Sequence, residues 1–232
     1  MSSKKKKLIL WDLDGTLMHC GADGTRALNE TFHKLYGIED AFTKAGIGHA
    51  MDSVILDRIL SSNGLNMEDL ENIKLLYTKN LKEILDHNVN KRILPGIKEL
   101  LQFLQNSNDC FSGLLTSNLK SGAEIKLQSV GLCDYFSVGG FGDAYGEKWD
   151  AAEASIIEAE KYFGVRFDKD NIFIVGDSIY DIQCAKKIGV VSIGVATGFA
   201  SYDMLKSQSP DFLYEDMSKW QEIALLHQWI KT

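Results

Sequence analysis

Proline is nearly absent from this chain. Two residues in 232, Pro95 and Pro210, leave no proline-rich linker to divide it. Cysteine is also sparse. Cys20, Cys110, Cys133 and Cys184 lie far apart and show no paired spacing of a metal site. With no signal-peptide pattern, they are expected to be reduced thiols of a cytoplasmic protein. Long hydrophobic runs are missing too. The apolar stretch that follows the lysines at 4–7 is too short for a signal-peptide core or a membrane span. The lysine run itself reads as a solvated tail before the first strand. Positive charge is in deficit: 25 Lys and Arg against 32 Asp and Glu give a net charge of −7, which argues against bulk nucleic-acid binding. An anionic substrate stays open, because a metal ion and one lysine can make a site locally positive. No ligand spacing links His33, His49, His87 and His227.

What is present is an ordinary globular composition, 45% apolar and 25% charged, in a chain long enough for one large domain or a core plus a smaller insert. Everything is arranged around residues 8–17. Leu8-Ile9-Leu10-Trp11 is a short unbroken apolar run, as in a strand buried on both faces of a parallel sheet. It ends in Asp12 and Asp14, followed by Gly15 and Thr16. Alternation along an extended chain points both carboxylates the same way. Two such groups make half a site for a hard cation that prefers oxygen ligands. The plainer alternative is an Asp-Gly turn with solvated acids.

Beyond this stretch, helical periodicity is expected over 25–36, 51–60 and about 66–86, with no clear strand between 18 and 92. Pro95 is expected at an early position of the next helix. From residue 94 onward, strands at 110–115, 136–138, 172–175 and 190–195 alternate with helices at 122–130, 148–163 and 180–188. An edge strand at 211–213 and a helix at 220–230 complete the pattern. This order predicts an α/β fold, a doubly wound, Rossmann-like parallel sheet with an inserted helical domain. In such sheets ligands bind at the carboxyl ends of the strands, and Asp12, Thr116 and Asp177 each follow one.

Asp12-Leu13-Asp14-Gly15-Thr16 resembles the first motif of the haloacid dehalogenase-like (HAD) hydrolases. Thr116-Ser117-Asn118 is similar to their second motif, in which a hydroxyl and backbone N–H groups bind a phosphoryl oxygen; an N-cap is its other reading. Lys148 is the candidate for the third, a cation holding phosphate against the nucleophile. Lys148-Trp149 departs from the Lys-Pro of many relatives, and Lys161 is a poorer alternative. Gly176-Asp177-Ser178-Ile179-Tyr180-Asp181 looks like the fourth motif. The resemblance covers nearly the whole chain and is nearest to the phosphoglycolate phosphatase-like group. It implies a core of 1–17 and 93–232 and a C1-type helical cap of 18–92.

The resemblance also implies the chemistry. Asp12 is the expected nucleophile, giving an aspartyl-phosphate, and Asp14 the general acid and base. Thr116, Ser117, Asn118 and Lys148 are expected to bind the phosphate, with Gly15, Thr16 and Asp181 supporting, Asp181 by pairing with Lys148. Mg2+ is the expected cofactor, held by the Asp12 side chain, the Asp14 backbone carbonyl and Asp177. The expected activity is hydrolysis of a small-molecule phosphomonoester, phosphoglycolate-like or a sugar phosphate, with no nucleic-acid or membrane partner. A β-phosphoglucomutase-like phosphosugar mutase shares these motifs, and a non-catalytic binding protein is the reading from another class.

Overall fold

A computed structural model of the chain describes residues 5–47 and 50–230, with Met67 as backbone only. Lys4 and His49 lie outside the described residues. The central strand is β1 (Lys7–Trp11), buried at every position. It pairs in parallel with β4 (Cys110–Leu115) on one side and β6 (Ile172–Gly176) on the other. The sheet continues through β5 (Gly139–Gly140) at one edge and β7 (Val191–Val195) and β8 (Phe212–Tyr214) at the other. Its order is β5-β4-β1-β6-β7-β8, all parallel. Strands that follow β1 therefore lie on both sides of it, and the reversal opens a crevice at its carboxyl end.

Alternation along β1 divides the core. Leu8 and Leu10 face the layer of α7 (Lys148–Phe163) and α8 (Ile179–Ile188), packing with Ala151, Ala152, Cys184 and Ala185. Ile9 and Trp11 face the opposite layer, which contains α5 (Ile97–Gln105) and α10 (Trp220–Leu226). The α5 stripe Ile97, Leu100, Leu101 and Leu104 is fully buried there, at about 1.5–3 kcal/mol for each side chain. Two short helices, α6 (Lys120–Val130) and α9 (Tyr202–Ser207), complete the core. Between β1 and α5 the chain forms α1 (Asp23–Tyr36), α2 (Ala41–Ala45), α3 (Asp52–Ser62) and α4 (Leu70–His87).

Several expectations are corrected. The lysine run is not wholly a tail. Lys7 opens β1 at 8% exposure, and Lys6 bonds Asp109 at 3.1 Å and the Asn108 carbonyl at 2.7 Å. The stretch 18–92 does contain strand. β2 (Met18–His19) and β3 (Arg92–Ile93) pair antiparallel where the helical segment leaves and rejoins the core. Pro95 precedes its helix, because Gly96 at φ +76° turns the chain before Ile97. The strand expected at 136–138 forms instead at Gly139–Gly140. A Cβ on Gly140 would come within 2.5 Å of the Ala151 carbonyl and Ser155 Oγ, so α7 crosses too closely for any side chain there. The last helix ends at Leu226, beyond which Gln228 takes φ +56°. All four cysteines are free. Among the described residues no helix is long and apolar enough to cross a membrane.

His227 is buried among Phe173, Phe212 and Trp229, and its Nε2 lies 2.9 Å from the Tyr214 hydroxyl. Burial pushes its pKa down to about 4, so the folded imidazole is neutral where the unfolded one already takes a proton. Its contribution to stability is present above about pH 6.5 and is lost as pH falls toward 4. Thermal melts from pH 7 to 4 are expected to fall less steeply for His227→Gln than for wild type. Parallel slopes would exclude this origin.

Candidate active site

The strand ends deliver two sets of acidic groups, and a different lysine holds each. Asp12 follows β1, where its N–H still bonds the Val175 carbonyl at 2.9 Å, which fixes the side chain at the sheet's edge. Asp12 Oδ1 lies 2.8 Å from Lys148 Nζ, and the same Nζ lies 2.6 Å from Asp181 Oδ1. Lys148 reaches both because it is the first residue of α7, whose N-terminus sits at that edge. Asp181 is locked by a capping box at the start of α8. Its Oδ2 accepts from the Ser178 N–H at 3.0 Å and hydroxyl at 2.6 Å.

Asp177, at the end of β6, accepts the Phe199 N–H at 2.6 Å, and the Thr16 hydroxyl lies 3.4 Å from its Oδ1. Gly15 closes over it. At φ +83°, a Cβ there would lie 2.5 Å from Asp177 Oδ2, so only glycine permits the approach. The Thr197 hydroxyl bonds the Gly15 carbonyl at 2.6 Å and holds this turn.

Carboxylate oxygens of Asp12, Asp177 and Asp181 lie within 4.8 Å of one another, all buried. Burial, with Asp181 and Asp177 adding to it, raises the Asp12 pKa well above the carboxylate range, against the pull of Lys148. Burial and then Asp181 push Asp177 up to about 6. Burial opposes the Lys148 ammonium, but Asp12 and Asp181 outweigh it and raise its pKa. One lysine among three carboxylates leaves negative charge in excess. An all-oxygen donor set of this kind fits a hard divalent cation; Asp181 Oδ1 lies 2.6 Å from Lys148 and its Oδ2 is bonded to Ser178, which leaves Asp12 and Asp177 as the groups that could hold it.

The second set is centred on Asp14. Its Oδ2 lies 2.5 Å from Lys126 Nζ and accepts from Asn118 Nδ2 at 2.8 Å, while the Cys20 thiol lies 3.6 Å from Oδ1. Lys126 also donates to Asn118 Oδ1 at 2.7 Å, and Asn118 Nδ2 donates to Thr116 Oγ1 at 2.8 Å. Burial favours a protonated Asp14, but Lys126 and the hydrogen bonds outweigh it and hold the carboxyl below its ordinary range. Asp14 therefore faces Lys126, away from the cluster of Asp12, Asp177 and Asp181. Ser117 turns its carbonyl to the Asp52 N–H at 2.9 Å. Lys161, late in α7, is exposed.

Both sets open on one cavity of about 320 Å3, whose far wall is built from α1, α3 and α4. Lys126, Asp52 and Tyr77, which line it, are absent from the sequence expectations. A periodic signal marks the first two. Lys126 falls on the buried stripe of α6 with Ala123 and Leu127, and the half-buried Asp52 is in phase with the α3 stripe of Ile55, Leu56 and Ile59. A charged residue in an apolar stripe needs a partner or a task.

Residues 9–195 match the family model of the haloacid dehalogenase-like hydrolases. A phosphoglycolate phosphatase of Vibrio parahaemolyticus is 27% identical over 233 residues, covering 97% of this chain and 98% of the relative. Among solved structures, a hydrolase from Pseudomonas syringae superposes with a TM-score of 0.68 at 20% identity, covering 94% of this chain and 97% of the other. A β-phosphoglucomutase from Clostridium difficile gives 0.69 at 19%, covering 96% and 97%. These two structural likenesses speak for the fold alone. The chain belongs to the haloacid dehalogenase-like hydrolases.

Proposed function

We propose that the chain is a cytoplasmic, Mg2+-dependent phosphatase that hydrolyses a small-molecule phosphomonoester through an aspartyl-phosphate on Asp12. The observation that carries this reading is the separation of two carboxylates two residues apart. Asp12 is bound to Lys148, and Asp14 is held apart by Lys126 and Asn118.

An Asp12 oxygen attacks phosphorus, and the bond from phosphorus to the alcohol oxygen breaks. Asp14 takes up a proton as the phosphoryl anion binds beside it, gives it to that oxygen, and then takes one from the water that attacks the aspartyl-phosphate. Phosphate leaves and Asp12 is restored. Lys148 holds the phosphoryl group in line, and Thr116, Ser117 and Asn118 offer polar contacts without added charge. Gly15, Thr16 and Asp181 keep the carboxylates and Lys148 in place. Asp12, Asp177 and the Asp14 carbonyl would hold Mg2+, which would neutralise charge on the phosphoryl oxygens. Residues 18–92 act as the cap that covers the site, with residues 1–17 and 93–232 as the core.

The test is phosphate release from a panel of small phosphomonoesters with and without Mg2+, for wild type and Asp12→Asn. Release that requires Mg2+ and the Asp12 carboxylate supports the proposal. Hexose-phosphate isomerisation without release points to the mutase. The absence of both, with Mg2+ still bound, returns the binding-protein reading.

A further inference from the structure

The cavity is closed on one side by a carboxylate that the hydrolytic chemistry does not use. Asp52 is the first residue of α3, and the start of this helix is pinned to the core. The Asp52 N–H bonds the Ser117 carbonyl at 2.9 Å, and Asp52 Oδ2 accepts the Leu119 N–H at 2.8 Å. The Ser53 N–H bonds the Gly142 carbonyl at 2.8 Å, and the Ser53 hydroxyl lies 3.2 Å from the Tyr145 carbonyl. The carboxylate is thus placed over the substrate space, between the polar strand ends and the apolar wall of Leu28, Phe42, Ile55 and Leu56.

The charges lining this space are four carboxylates, on Asp12, Asp14, Asp52 and Asp177, and two ammonium groups, on Lys126 and Lys148. Both lysines are already engaged. Lys148 lies between Asp12 and Asp181, and Lys126 is held by Asp14 and Asn118. One divalent cation and one phosphoryl dianion offset each other, so the lining stays net negative with substrate bound. No cation among the lining residues is left to pair a second anion, and Asp52 would face it at short range.

We propose that Asp52 is a specificity-determining residue. It accepts a hydroxyl of the alcohol part of the substrate and turns away a second anionic group such as a carboxylate. The inference rests on the phosphatase reading and narrows it to phosphate esters of neutral, hydroxyl-bearing alcohols. Apolar walls suit the carbon skeleton of such an alcohol, and a half-buried carboxylate is a strong acceptor for its hydroxyl.

Two esters of equal length isolate the effect: 2-hydroxyethyl phosphate and phosphoglycolate differ only in carrying a hydroxymethyl or a carboxylate. Wild type is expected to prefer the hydroxylated ester in kcat/KM by at least about tenfold. In Asp52→Asn, which keeps an acceptor for the Leu119 N–H, this ratio is expected to fall by about tenfold or more, chiefly through a lower KM for phosphoglycolate. Where neither ester turns over, their competitive inhibition of p-nitrophenyl phosphate hydrolysis reads the same ratio. A wild type that prefers phosphoglycolate, or a ratio unmoved by Asp52→Asn, overturns the proposal. Loss of p-nitrophenyl phosphate hydrolysis by wild type itself counts against the phosphatase reading instead.

Discussion

Asp12→Asn is expected to lower turnover of every phosphomonoester by on the order of 10^4-fold or more while leaving the fold intact. Asn presents the same shape to Lys148 but no anion that can form a bond to phosphorus. The structural cost is small for a reason visible in the site. Asp12 carries the strain of burial beside Asp181 and Asp177, and loss of that repulsion offsets loss of the Lys148 ion pair. A Tm within about 4 °C of wild type is the expected companion result, equivalent to ~1 kcal/mol for a chain of this size. If the melt collapses instead, Asp12→Ala and the circular-dichroism spectrum separate unfolding from loss of the nucleophile. A variant that stays folded and keeps more than a tenth of wild-type turnover would exclude Asp12 as the attacking group.

The parts of the fold legible in the sequence are those dictated by short-range chemistry. β1, β4 and β6 are largely apolar runs that end at or just before polar or glycine positions, β7 is a further mostly apolar run, and the helices between them carry one buried stripe each. The parts that were not legible depend on contacts between distant segments. The pairing of Gly139–Gly140 is set by how closely α7 crosses, and the strands β2 and β3 exist only because Met18 and Ile93 meet. The site divides in the same way. Asp12, Asp14 and Asp177 announce themselves at strand ends, where a carboxylate after an apolar run has no structural reason. Lys126 and Asp52 sit on helices as single charged residues inside apolar stripes. Their importance appears only when α6 and α3 bring them to Asp14 and to the cavity. The far wall of the substrate space is therefore the portion least readable from local pattern.

Lys126→Met is expected to lower kcat at neutral pH by about 10^2-fold with little change in KM. Lys126 is buried at 4% exposure and its Nζ is taken up by Asp14 and Asn118, so it is expected to act through that carboxylate rather than on the phosphoryl group. Together with Asn118 it fixes the Asp14 carboxylate, the group proposed to serve first as acid and then as base. Its charge also holds Asp14 below the ordinary carboxylate range, against burial. The sign of the pH effect follows. With the ammonium gone, only the Asn118 and Cys20 hydrogen bonds oppose burial and the Asp14 pKa rises, so the base is lost at a higher pH than in wild type. The acid limb of the kcat profile is expected to move upward by about one unit or more, and turnover to recover in part toward pH 9. Lys126→Arg keeps the cation and is expected to hold the limb near its wild-type position. A rise in KM with kcat and the acid limb unchanged would instead place the Lys126 ammonium on the substrate and remove it as the partner of Asp14.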